Sequence, residues 1–195
     1  MISNILIIDT ETTGLSPDKN KMIEIAVILF NLQTKSVLQS FSTLLPCDVN
    51  EAYDINRLEA EATRLPMVDR CLYMPILLEM VEVSDVMVAH NAKFDIGFIK
   101  RAMPNLLVRP VICTKQDFKW PMLLYRMRLE DICNASGVPY INAHRAMADC
   151  NLLVECFKKV PDLENRFKTA INFKVENKFN KGREVNFNDR HYTLL

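Results

Sequence analysis

The sequence predicts an α/β fold, a mixed sheet flanked by helices in which an antiparallel meander meets parallel strands. Three observations carry this expectation. Segments 4–9, 22–31 and 36–45 are rich in Ile, Val, Leu and Phe and are joined by short turn-forming links, as in antiparallel neighbours. A fourth apolar run at 85–90 leads at once into a helical pattern at 92–102, and a fifth strand is expected at 111–114. The rest reads as helix: 51–82, interrupted by Pro66 and Pro75, then 115–124, 129–136 and 144–159. Strands first, then strand–helix–strand, then helices is the order of a sheet covered by helices.

Each strand stops at a recognisable signal. The first ends in the charged run DTETTGL, residues 9–15, and the second in Asn31. Asn91 is placed to cap the helix at 92–102, whose Phe94, Phe98 and Ile99 share one face. After about Thr169 the helical periodicity fades and Asn and Lys accumulate. Residues 1–170 are therefore expected to form the folded domain, and 171–195 a basic extension of unassigned role.

Composition limits the function classes. A chain of 195 residues, 49% hydrophobic and 25% charged, suits one soluble globule with a sizeable core. No apolar run approaches the roughly 18 residues of a membrane span, and the N-terminus lacks the basic start of a secretory signal. Six cysteines without a CxxC pair fit buried thiols in a reducing cytoplasm better than a zinc knuckle or disulfide framework. The net charge is +0, but nine basic residues oppose five acidic ones from Lys158 onward. That end could steer a polyanion, or it could be a solvated terminus.

The chemistry lies in three acidic motifs. Asp9 and Glu11 are two apart on a strand and so point to one side. Two carboxylates that close repel each other unless a cation sits between them, and hard divalent ions prefer oxygen ligands. The pair also reads as solvated turn residues. Asp95, in the first turn of a helix within HNAKFD, is explained either by a strand-end active site or by the helix dipole alone. His144 and Asp149, in HRAMAD, are neighbours only if the histidine precedes the regular helix; otherwise they are a loop residue and a surface acid. Taken together, four acids beside apolar sequence suit two divalent cations that hydrolyse a phosphodiester, with a histidine accepting the proton of water.

DTETTGL at 9–15, MIEIA at 22–26, HNAKFDIGF at 90–98 and HRAMADC at 144–150 resemble, in order, the motifs of DnaQ-like, DEDD-type 3′→5′ exonucleases of the RNase H-like fold. Arg145 stands where tyrosine variants carry Tyr, so the chain resembles the histidine subtype, nearest to exonuclease X-like and proofreading-subunit members. The resemblance spans about residues 5–157. It implies two Mg²⁺ or Mn²⁺ ions held by Asp9, Glu11, Asp95 and Asp149, and His144 as general base. It implies that Thr12, Thr13 and Gly14 form the turn meeting the 3′-terminal nucleotide, with Asn91 also on the substrate side. Leu15 and Phe94 would wedge against the last bases, although Phe94 also reads as core. His90 is expected to be structural and next to the site, and His191 has no assigned role. One departure is Asn56, which stands where family members often carry a histidine, so affinity or substrate preference is expected to differ.

The function implied is two-metal 3′→5′ exonucleolysis of single-stranded or frayed DNA, releasing nucleoside 5′-monophosphates. Two alternatives stay open. One is a 3′→5′ exoribonuclease, because nothing in the motifs reads a 2′-hydroxyl. The other is a proofreading subunit docked to a DNA polymerase or repair complex, for which the C-terminal segment is the candidate contact.

Overall fold

In the computed structural model, residues 2–64, 70–122, 124, 126–141 and 144–179 are described. Five strands form one sheet in the order β3-β2-β1-β4-β5. β1 (Asn4–Thr12), β2 (Met22–Asn31) and β3 (Ser36–Leu44) are the antiparallel meander. β4 (Val86–Ala89) runs parallel to β1, and β5 (Val111–Cys113) parallel to β4. The tight β2–β3 link is built by Asn31, whose side-chain oxygen accepts from Gln33 N, Thr34 N and the Thr34 hydroxyl.

β1 is the centre of the sheet and is covered on both faces, so Ile5, Leu6, Ile7 and Ile8 are all fully buried. The period of two divides them. Ile5 and Ile7 join a core with α4 (Leu129–Ser136), α5 (Ala146–Lys159) and α6 (Leu163–Phe179). Leu6 and Ile8 join a second core with α2 (Arg70–Glu82) and α3 (Ala92–Ala102). The same parity continues into the polar end of the strand. Asp9 and Glu11 inherit the α5 face, and Thr10 inherits the α3 face.

Four expectations are corrected. The helix expected over 51–82 is split. A four-residue α1 (Tyr53–Asn56) ends where Arg57 takes a left-handed φ of 56°, and α2 runs through Pro75 because Tyr73, Leu77, Met80 and Val81 are buried. Pro66 lies outside the described residues.

Residues 115–124 are not helical where described. Asp117 turns back to accept from Cys113 N, and Pro121 disfavours a helical Trp120. Trp120 is drawn into an aromatic cluster, stacked on Phe157 with ring centroids 5.5 Å apart.

Asn91 makes no side-chain cap. It sits at φ 66°, a left-handed value that asparagine tolerates, and its carbonyl accepts from Phe94 N.

Helicity also persists past Thr169, through residue 171 to Phe179, because Phe167 and Ala170 are buried and Lys174 Nζ donates to Val111 O and Asp117. Tertiary contacts outweigh the weak local pattern here. Residues 180–195 lie outside the described set.

Among the described residues, no helix is long and apolar enough to cross a membrane. Cys47, Cys113, Cys133, Cys150 and Cys156 are free and buried.

Candidate active site

β1 ends where its neighbours stop covering it, and its last side chains converge with those of α5. Ligand oxygens of Asp9, Glu11 and Asp149 all lie within 4.8 Å of one another. Asp149 reaches them from the first turn of α5, where its N–H donates to Arg145 O. Its Oδ1 is buried and has no hydrogen-bond partner among the described residues.

Asp95 approaches from the other side. It is 2% exposed, and its Oδ1 accepts from the Thr10 hydroxyl at 2.8 Å. The parity of β1 is the reason: Thr10 and α3 share one face, while Asp9, Glu11 and α5 share the other. The sequence groups four acids as equals, whereas the structure gathers three and sets the fourth beside them.

The electrostatics are those of buried carboxylates crowded together. Burial raises Asp9 well above the usual carboxylate range, and Asp95, Asp149, Glu11 and Glu24 add to the effect. Glu11 is pushed up to about 8 by burial and then by Asp149, Glu24 and Asp95, with Arg145 opposing. Asp95 is pushed up to about 7 by burial, against the Thr10 hydroxyl bond. Asp149 is raised by burial and lowered by His144. Carboxylates that resist ionisation when alone, together with an orphaned buried oxygen, fit a hard divalent cation.

His144 is exposed and precedes α5 at φ 67°, so it does not lie on the helix with Asp149. His90 is half-buried, with Nδ1 2.8 Å from the Thr114 hydroxyl. Burial, then Lys115, pushes it down to about 4, so it is neutral at pH 7. That placement is compatible with the structural role expected of it.

Beside Glu11 opens a cleft of about 580 Å³, a size within the range of small-molecule sites. Thr12, Thr13, Gly14, Leu15, Ile55 and Phe94 are among the residues that line it. The threonine hydroxyls hold the turn itself: Thr12 Oγ1 donates to Gly14 O, and Thr13 Oγ1 accepts from Lys21 N. Gly14 leaves room for Asn20, since a Cβ there would stand 2.6 Å from the Asn20 amide and displace that side chain. Leu15 is 82% exposed and Ile55 56%, two apolar side chains facing open space. Phe94 is half-buried, with its ring 5.1 Å from that of Phe98.

Two features escaped the sequence reading, and Asn56, which it singled out for substrate preference, is a buried hydrogen-bonding residue. Ile55 is an exposed wall of the cleft. Glu24, at the centre of MIEIA, is a buried acid on an otherwise apolar strand, which was the signal available. Asn56 is 1% exposed, its Nδ2 donates to Thr12 O at 3.1 Å, and its Oδ1 accepts from Asn50 Nδ2 and Leu58 N. It ties α1, which carries Ile55, to the end of β1. Asn56→Leu strands these buried groups and is expected to cost about 2–3 kcal/mol. The check is a fall in melting temperature of several degrees. An unchanged midpoint would show that water replaces the amide.

Residues 6–157 match the model of the RNase_T family, described as Exonuclease. The chain belongs to this exonuclease family. A relative, DNA polymerase III of PolC type from Clostridium perfringens (strain 13 / Type A), is 33% identical over 162 residues. That alignment covers 78% of this chain and 11% of the polymerase, so this exonuclease-family chain spans about a tenth of that relative's length. Among solved structures, the zinc-bound complex of E. coli ExoI with single-stranded DNA superposes with a TM-score of 0.66 at 17% identity, over 94% of this chain and 46% of that one. Exonuclease X in complex with 5′ overhanging duplex DNA gives 0.57 at 23% identity, over 86% of this chain and 98% of that one. These likenesses establish the fold of the exonuclease domain, and membership of the family implies use of a divalent metal.

Proposed function

We propose that this chain is a 3′→5′ exonuclease acting on single-stranded or frayed DNA, with Mg²⁺ or Mn²⁺ as cofactor and nucleoside 5′-monophosphates as products. The convergence of Asp9, Glu11 and Asp149, with Glu11 also lining the cleft, carries the reading. Those three residues, with Asp95 beside them, would hold the metal. When bound, it activates water and offsets charge on the phosphodiester.

The chain's own groups supply the rest. His144, exposed at the head of α5, accepts a proton from the attacking water. The 12–15 turn and Phe94 seat the 3′-terminal nucleotide, with Leu15 and Ile55 as apolar walls for a base of any identity. Asn91, exposed at the start of α3, is assigned to the substrate side by its place in the HNAKFD motif.

The test is release of mononucleotides from matched 3′-labelled DNA and RNA oligonucleotides with Mg²⁺, Mn²⁺ or EDTA. Product on DNA, absent with EDTA, supports the reading, and product on RNA alone replaces it with an exoribonuclease. Leu15→Ala is expected to raise KM roughly fivefold or more, since one base–apolar contact is worth about 1–3 kcal/mol. Its kcat and melting temperature should stay put because the side chain is exposed.

The polymerase relative motivates a second reading, in which this unit proofreads inside a polymerase or repair complex. Co-purification with a polymerase, and processivity gained only in that complex, would favour it. Among the described residues, the free and buried cysteines are in keeping with the cytoplasm as its location.

A further inference from the structure

Glu24 faces Glu11 directly across the β1–β2 ladder, one residue before the register shifts. Directly opposed residues of an antiparallel pair share a face, so a second carboxylate is turned toward the acidic cluster, where like charge is unfavourable. Its side chain is only 4% exposed. Both oxygens are occupied. Oε1 accepts from Arg145 Nη2 at 2.9 Å, and Oε2 accepts from Arg145 Nε and Ala146 N, each at 3.1 Å.

Glu24 is therefore committed to the protein and grips two consecutive residues at the head of α5. The helix proper is fixed by its own packing, with Ala146, Cys150 and Cys156 fully buried. His144 lies outside that packing, with its backbone hydrogen-bonded to Asp149. It is exposed, stands one residue ahead of the grip, and holds a left-handed backbone that histidine adopts at some cost.

We infer that Glu24 is a positioning residue for His144: its fork onto Arg145 and its bond to Ala146 N hold the histidine backbone at the mouth of the acidic cluster. The inference rests on His144 being the base of the proposed reaction. A guanidinium fork fixes direction as well as distance, which a single ammonium contact would not do.

Kinetics on a 3′-labelled DNA oligonucleotide with Mg²⁺ test it through a double-mutant cycle. Glu24→Gln is expected to lower kcat by roughly 10- to 100-fold, the scale of an ångström-sized misplacement, with KM within about twofold. In a His144→Ala background, Glu24→Gln should produce no further loss, because there is no base left to misplace. If Glu24→Gln reduces kcat by the same factor in both backgrounds, or leaves kcat unchanged, the inference is overturned. Full activity of His144→Ala itself overturns the base assignment and the inference with it. Should Glu24→Gln fail to fold, Arg145→Met releases the grip from its half-exposed end, and the same cycle decides.

Discussion

Asp9→Asn is expected to abolish exonuclease activity, by on the order of a thousandfold or more, while making the metal-free protein more heat-stable. The two effects share one cause. Asp9 lies among Glu11, Asp95 and Asp149, and burial together with these neighbours raises its carboxyl well above the ordinary range. Ionised and without a cation, the cluster is a repulsive load on the fold. A neutral amide of the same shape removes part of it. Each 1 kcal/mol recovered corresponds to about 2–4 °C in a chain of this size.

The cluster also sets the pH dependence. Glu11 shifts from its ordinary 4.5 to about 8 in the folded chain, so the folded state binds its proton more tightly than the unfolded state does. That contribution is fully present below about pH 4.5 and is lost as pH rises through about 8. Asp95, raised to about 7, acts in the same direction. In EDTA the melting temperature should therefore fall from pH 5 to pH 8, and the fall should be shallower for Asp9→Asn. Added Mg²⁺ should raise the wild-type midpoint at pH 8 and leave the variant nearly unmoved. Calorimetry with and without Mg²⁺ reads both arms. A variant less stable than wild type in EDTA, yet still active with Mg²⁺, would sink the account of the cluster.

His144→Ala is expected to lower kcat by roughly 10²- to 10⁴-fold with KM within about twofold, the scale of losing a general base. The histidine is exposed and lies outside α5, so its imidazole contributes little to packing. Its backbone needs separate control, because φ is 67° and alanine tolerates that region poorly. His144→Asn supplies the control, since asparagine accepts the left-handed conformation without offering a base. Equal losses for alanine and asparagine assign the effect to the imidazole. A normal rate for asparagine would assign it to the backbone instead. In both variants the Mg²⁺-induced rise in melting temperature should persist, which separates loss of the base from loss of the metal site.

Much of this architecture is legible in one dimension. The three N-terminal strands, the β4–α3–β5 unit and the helices over 129–136 and from 146 to 159 follow from periodicity and turn residues, because each buries a face its own pattern defines. The acidic motifs are legible for the same reason: charge beside apolar runs is conspicuous. The failures share a physical cause too. Residues 115–124 have helix-compatible content, but Trp120 and Phe118 gain more by joining Phe157 and Phe167. The reach of α6 to Phe179 depends on contacts with β5 and Asp117 that no local window contains. Asn56 stands where family members often carry a histidine, and its amide holds Thr12 and Leu58 together, a partner choice visible only in three dimensions.

The sequence by itself determined the sheet's composition and the identity of the acidic residues at its polar end, because strand period and buried charge are local properties. Tertiary structure alone decided how those acids divide. The period of two sends Asp9 and Glu11 toward Asp149 on α5 and Thr10 toward Asp95 on α3, but which helix covers which face depends on how the chain crosses the sheet. It also decided that Glu24 serves α5, since a carboxylate on β2 meets Arg145, 121 positions further along, only when the intervening chain has folded back.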